Sequence, residues 1–241
     1  SIRSIRFPLK RLTVLIGGNG VGKTNLYRAL ELVHAAATGD LTMAIAQEGG
    51  LASVFWAGKR RVTDQPRLRL EVGLDTVLPT DEEAGYQPRY VVEVGFGDSK
   101  YQAVFAEEPQ IKAESMILPG RRSVTLLERK GPAAWYRDDT GRRRQVELPL
   151  LASETALSAL RGTLPELDAV RHLLASWRFY HGFRTDQSAP LRQPSLAVTA
   201  PMLDADGGNL GAVLATLKHI RGDTEDLDAA IDHAFPGARL D

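Results

Sequence analysis

The chain has 241 residues, 43% of them apolar, with 30 basic side chains against 30 acidic ones and no cysteine. That length holds one large domain or two lobes, and the even charge excludes a global basic field, so any nucleic-acid surface must be local. The lack of cysteine excludes disulfides, thiolate zinc sites and a cysteine nucleophile; with no apolar run near the roughly 20 residues that cross a bilayer and no signal peptide, the expectation is a cytoplasmic protein without a membrane partner.

In chain order, Ile2, Ile5 and Phe7 mark a short edge strand over Ser1–Phe7, which Pro8 stops. A first residue that is Ser rather than Met fits a native start lying upstream. Leu12–Ile16 is a β-rich apolar run and predicts a second strand. Gly17 to Thr24 then fills every fixed position of Gly-x-x-x-x-Gly-Lys-Ser/Thr, and Thr24–Ala37 repeats apolar residues at helical spacing through Leu26, Leu30 and Val33. Strand, glycine loop and helix are the order that a phosphate-binding loop requires.

Each residue type has a physical task there. Gly17, Gly20 and Gly22 can take positive φ without a Cβ clash, so that backbone N–H groups turn inward around phosphate oxygens. The helix start adds unpaired amides and the positive end of its dipole. Lys23 supplies a mobile ammonium for the β- and γ-phosphates and the Thr24 hydroxyl a ligand for Mg²⁺. The expected ATP-binding set is Gly17, Gly18, Asn19, Gly20, Val21, Gly22, Lys23, Thr24 and Asn25, with Lys23 as the catalytic cation and Thr24 as the metal-binding residue. A plain glycine turn would not ask for Lys and Thr at those two places.

Gly39-Asp40 ends the helix, and Leu41–Trp56 is compatible with either helix or irregular chain. Lys59-Arg60-Arg61 is a basic knot, read first as a solvated turn. From Arg67 the period becomes two: Leu68, Leu70, Val72, then Tyr90, Val92, Val94, Phe96, then Tyr101, Ala103, Phe105. Further strands are expected over Ile111–Ile117, Ser123–Lys130, Ala134–Arg137 and Gln145–Leu150, giving an antiparallel meander of six or seven strands over 67–150 whose turns carry Arg121-Arg122 and Arg142-Arg143-Arg144. The helical period returns in Glu154–Leu160, in a helix opened by Pro165 with Leu167, Val170, Leu174 and Trp177 inward, in a helix after Asp206-Gly207-Gly208-Asn209, and in Thr224–Phe235 with Leu227, Ile231 and Phe235 inward. Arg178–His181 reads as a strand and Thr185–Leu203, with three prolines, as a long loop.

No asparagine begins an Asn-Lys-x-Asp motif, which argues against a GTPase, and no doubly buried strand ends in the acid that would hold Mg²⁺ and poise water. Gly-x-Asn-Gly-x-Gly-Lys-Thr-Asn-Leu at Gly17–Leu26, followed by Ala29-Leu30, a meander and helices, resembles the start of ABC-type ATPases of the SMC and RecF kind, and in particular the bacterial AAA-like ATPases related to the OLD family. Trp177–Tyr180, Gly208-Asn209-Leu210 and Phe235-Pro236-Gly237 add to the likeness. The resemblance implies an α/β fold, a P-loop NTPase lobe of ABC/SMC type with an antiparallel β meander and flanking helices. It implies ATP and Mg²⁺ as cofactors, and a homodimer or larger assembly in which ATP is sandwiched between subunits and hydrolysis releases it.

The same resemblance implies a C-terminal lobe carrying the signature, the acidic strand and a switch histidine. None of these is found here, so the expectation is a single ATP-binding region over 1–241 (phosphate-loop segment 1–66, meander 67–150, helical segment 151–241) that forms the N-terminal portion of a longer ATPase. Asp206–Asn209 reads as an ordinary helix start rather than the signature. Gln187 is the nearest candidate for the family's Mg²⁺-sensing glutamine, and His181 reads as structural. Two alternatives stay open: a nucleotide-gated DNA-binding module of a DNA-maintenance or phage-defence complex, supported by Lys59–Arg61 and Arg142–Arg144, and a small-molecule kinase using Arg184 and Arg192 as lid arginines.

Overall fold

A computed structural model describes residues 3–59, 66–75, 87–97, 105, 107–119, 122–147, 149–222 and 224–238. Arg60, Arg61, Tyr101, Ala103 and Arg121, and most of the loop expected between Pro79 and Pro88, lie outside these residues. The chain divides into two compact units, Ser1–Trp177 and Arg178–Asp241.

The first unit is built on six strands paired in sequence order, each antiparallel to the next: β1 (Arg67–Gly73), β2 (Arg89–Phe96), β3 (Pro109–Leu118), β4 (Val124–Lys130), β5 (Ala133–Arg137) and β6 (Arg143–Gln145). Their period of two puts Leu70, Tyr90, Val92, Val94, Met116 and Leu127 on one buried face. Bulges at Glu93/Val94 and Met116/Ile117 adjust the register while keeping that face inward. The last strand falls earlier than the expected Gln145–Leu150, because Asp138 closes a tight turn: its carboxylate accepts from the Thr140 hydroxyl and amide and from the Arg142 amide, and Arg143 pairs with Arg137 at once. Phe105, expected in a strand, is an exposed bend.

Helices cover the buried face. They are α1 (Lys23–Thr38), α2 (Leu41–Gln47), α3 (Leu51–Val54), α4 (Ala156–Ala159) and α5 (Pro165–Ala175). The ambiguous stretch after Gly39 is therefore helical, broken by Gly49 and Gly50 at φ 90° and 80°. Leu32, Val33, Ala36, Leu41, Ile45, Leu51, Leu157, Leu167, Val170 and Leu174 form one core with the inner strand residues. At roughly 1.5–3 kcal/mol for each fully buried large aliphatic side chain, this cluster dominates the stability of the unit. Pro165 stands in the first turn of α5, where its missing N–H costs nothing.

A buried polar cluster ties the sheet to the helices. Glu114 on β3 accepts from the amides of Ala156 and Leu157 at 2.6 and 2.8 Å and from the Tyr90 hydroxyl at 2.9 Å. Arg129 on β4 is 1% exposed and donates to the carbonyls of Gly131, Leu151 and Glu154, with Glu114 at 3.9 Å. Burial pushes the Glu114 carboxyl above its ordinary range, opposed by the two amides, Arg129 and Tyr90. Thr155 caps α4 and donates to the Ala36 carbonyl at 2.6 Å, so the same segment reaches α1.

Two expected strands do not form. Residues 3–7 and 12–16 carry no strand pairing, with Arg3 and Leu12 in bends, and Leu12, Val14 and Ile16 are 83, 70 and 92% exposed. Composition marks a segment able to pair, but a strand exists only with a neighbour, and the six strands of the meander pair with one another in sequence order without these segments.

In the second unit, Arg178–His181 is likewise no strand; Tyr180 packs edge-on against Phe183 and donates to the Leu203 carbonyl. The long loop holds a single 3₁₀ turn, Pro190–Arg192. Gly207, at φ 75°, passes so close to Phe183 that a Cβ would sit 2.6 Å from the ring, which reserves the position for glycine. Beyond it run α6 (Leu210–Arg221) and α7 (Glu225–Ala234), around a small core of Ala200, Ala212 and Val213. Leu227 and Ile231 are only half-buried and Phe235 is 69% exposed, so the expected inward stripe of α7 is not covered among the described residues.

Arg184 and the Ser188 hydroxyl lower the Asp186 carboxyl from 3.8 to about 2. A folded-state value below the unfolded one means that this cluster supports the loop above about pH 4 and is lost as pH falls through about 2. An NMR titration should place the Asp186 midpoint near 2 in the native chain and close to the ordinary value in Arg184→Gln.

Candidate phosphate-binding site

The expected loop sits at the N-terminus of α1. Gly20 and Gly22 have φ of 82° and 100°, the left-handed region where a side chain is strained, and Gly22 is the N-cap residue. A Cβ on Gly17 would meet Val21 Cγ2 at 3.0 Å, whereas Gly18 and Gly20 face open space. The glycines thus serve two ends: tight closure at Gly17, reversed backbone at Gly20 and Gly22. Lys23, Thr24 and Asn25 form the first turn, whose amides have no acceptor within the helix. No acidic side chain lies in that turn to neutralise the dipole.

The Lys23 ammonium folds back over the loop and donates to the carbonyls of Gly17 at 2.5 Å and Gly18 at 2.8 Å. It is bonded to neutral, exposed carbonyl oxygens rather than to a carboxylate. An anion arriving at the loop therefore competes with two hydrogen bonds and not with an ion pair. Thr24 is exposed and Asn25 half-buried. The donor set fits a nucleotide polyphosphate: successive amides and one ammonium for the phosphates, one hydroxyl for a divalent cation.

The other candidates are placed differently. His181 and Gln187 are exposed residues of the second unit. Arg184 is held by Asp186 and Ser188, and Arg192 donates to the Thr185 carbonyl, so both build the loop itself rather than stand free as lid arginines. Asp206 accepts from the Gly208 amide, and Asn209 bonds the Asp204 amide and the Met202 carbonyl, the local bonding of a turn ahead of a helix. Lys59 is exposed; Arg142, Arg143 and Arg144 lie on the β5–β6 hairpin. Among the described residues, no three His, Asp or Glu side chains group to hold a metal, and no helix is long and apolar enough to cross a membrane. Sequence reasoning missed Glu114 and Arg129, which position the segment behind α1. The available signal was a charge two residues from a core residue on the same strand face: Glu114 beside Met116, Arg129 beside Leu127.

The comparisons with known proteins bear on this loop. No curated protein and no solved structure matches the chain. Residues 12–90 match the family model described as "AAA domain, putative AbiEii toxin, Type IV TA system". The matched stretch, less than half of the chain, holds the whole glycine loop, α1 to α3 and the strand β1, and over it the chain is similar to the ATP-binding P-loop domain of AAA-type ATPases.

Proposed function

We propose that the chain is the ATP-binding lobe of an ABC-type ATPase of the SMC and RecF kind, which engages a second copy across ATP and needs a further lobe to hydrolyse it. The observation that carries the reading is the loop: two glycines at positive φ leading into unpaired helix amides, with Lys23 poised on it, inside the stretch that is similar to an AAA domain. In this reading the amides of Gly17 to Asn25 and the Lys23 ammonium hold the phosphates, and Thr24 holds Mg²⁺. The exposed apolar run Leu12, Val14 and Ile16 supports the further lobe, since a strand of that composition is suited to a central place in a sheet.

Calorimetric titration of the 241-residue chain with MgATP, followed by amide hydrogen exchange, tests the site: saturable binding is expected, with protection confined to residues 17–25 and their surroundings. A chain that takes up no nucleotide at millimolar ATP refutes it. Turnover is expected to be negligible with this polypeptide alone. Sustained hydrolysis by a purified single chain would mean that it already holds the acid needed to poise water, and the second-lobe reading would be withdrawn.

A further inference from the structure

We propose that the outer face of β4, β5 and β6 binds a single-stranded polynucleotide, with an unpaired base stacked on the Trp135 indole and the flanking phosphates held by Arg137, Arg142 and Arg143. This goes beyond the nucleotide reading and does not depend on it.

The placement follows from the register. Trp135 stands opposite Glu128 on β4 and Gln145 on β6, and Arg137 stands opposite Arg143, so these side chains share the face turned away from the core residues Leu127 and Ala134. Between them lies a hollow of about 190 Å³ lined by Thr125, Glu128, Trp135, Tyr136, Arg137 and Arg143. A cavity of roughly 150 Å³ holds a benzene ring, so the hollow is of the right order for one planar base. The Arg143 guanidinium, which also pairs with Glu128, lies 4.7 Å from the centre of the indole, so this face accepts a flat group and an incoming base takes the place of Arg143, which turns to a flanking phosphate.

Cations outnumber carboxylates around this end of the sheet. Between Arg122 and Glu147, leaving out the buried Arg129, the cations are Arg122, Lys130, Arg137, Arg142, Arg143 and Arg144. The carboxylates are Glu128, Asp138, Asp139 and Glu147. Glu128 is held by Lys130 and Arg143, each at 2.8 Å, and Asp138 by Arg144. Arg137 is fixed by a bond to the Gly141 carbonyl, and among the described residues it pairs with no carboxylate and the Arg142 guanidinium has no partner. Arg122, in the β3–β4 turn, lies at the same end of the sheet as the β5–β6 turn. A flat, open face that combines a stacking ring with uncompensated arginines suits a strand whose bases are free. A duplex would use the cations and leave Trp135 idle; so would an acidic peptide.

The test is fluorescence anisotropy with a labelled thymidine oligonucleotide of about 20 nucleotides, longer than the roughly 4–16 that a single small fold covers. Binding is expected at about 50 mM salt without ATP, and more weakly to a duplex of equal length. Trp135→Ala should weaken it on the order of tenfold. Arg142→Gln, which removes no native contact, should weaken it and reduce the slope of log affinity against log salt by about 0.7. Lys23→Ala should bind as the parent does, which separates this site from the phosphate loop. No binding at low salt, an unchanged affinity in both Trp135→Ala and Arg142→Gln, or displacement of the oligonucleotide by polyglutamate as readily as by unlabelled thymidine strand would each overturn the proposal.

Discussion

Arg129→Met is expected to destabilise the first unit by about 3–5 kcal/mol, the cost of leaving one member of a buried ion pair without the other. The substitution strands the Glu114 carboxylate and removes donors from the carbonyls of Gly131, Leu151 and Glu154. Each buried acceptor left unsatisfied costs about 1–3 kcal/mol. Against a native stability of about 5–15 kcal/mol this is a large share. In urea, with m of about 1–3 kcal/mol/M, the midpoint should fall by more than about 1 M. Removing both charges together, in Glu114→Leu with Arg129→Met, should cost less than the sum of the two single changes, because neither partner is then stranded. A single-variant loss below about 1 kcal/mol would show that water reaches the cluster and that it is not dry.

Lys23→Ala is expected to leave folding nearly untouched and to lower ATP affinity by roughly 10–100-fold. The two hydrogen bonds that Lys23 makes are exposed and go to neutral carbonyls, so their loss should stay within about 0.5 kcal/mol of stability. A charge-assisted bond to phosphate contributes about 1.5–3 kcal/mol, and every 1.4 kcal/mol is a factor of ten in affinity. Lys23→Arg should not restore binding fully, since a planar fork replaces a compact ammonium in a loop closed tightly at Gly17. Equal ATP affinity in parent and Lys23→Ala chains would remove the phosphate loop from the account.

The meander was legible because its alternation is strict: a sheet with one wet face writes its pairing into every second residue, and β1 to β5 fall within a few residues of the expected runs. The period of 3.6 likewise exposes α1, α5 and α6, and Pro165 and Gly39 mark their ends. Leu12–Ile16 failed as a strand for a physical reason: apolar β-branched composition states what a segment can do once paired, while pairing is a property of distant chain. The stripe on α7 failed in the same way, since Leu227, Ile231 and Phe235 are inward only if something lies over them. In the candidate site, Gly17, Gly22, Lys23 and Thr24 are fixed by spacing, so the sequence placed them at the helix start where they stand. The position of the Lys23 ammonium on two loop carbonyls is conformational and has no signature in the residue order. The Glu114–Arg129 cluster lies between these cases, visible as charges out of phase with solvent but not as a pair.

The anchoring of α1 differs greatly between its ends. At its far end the Ala36 carbonyl is gripped by Thr155, His34 bonds the Leu174 carbonyl, and Gly39 seals the last turn onto Ala35; at its near end Thr24 is exposed and the loop ahead of it is tethered mainly by Lys23. A ligand that draws in the glycine loop is therefore expected to move the exposed first turn of α1 before its anchored C-terminal half.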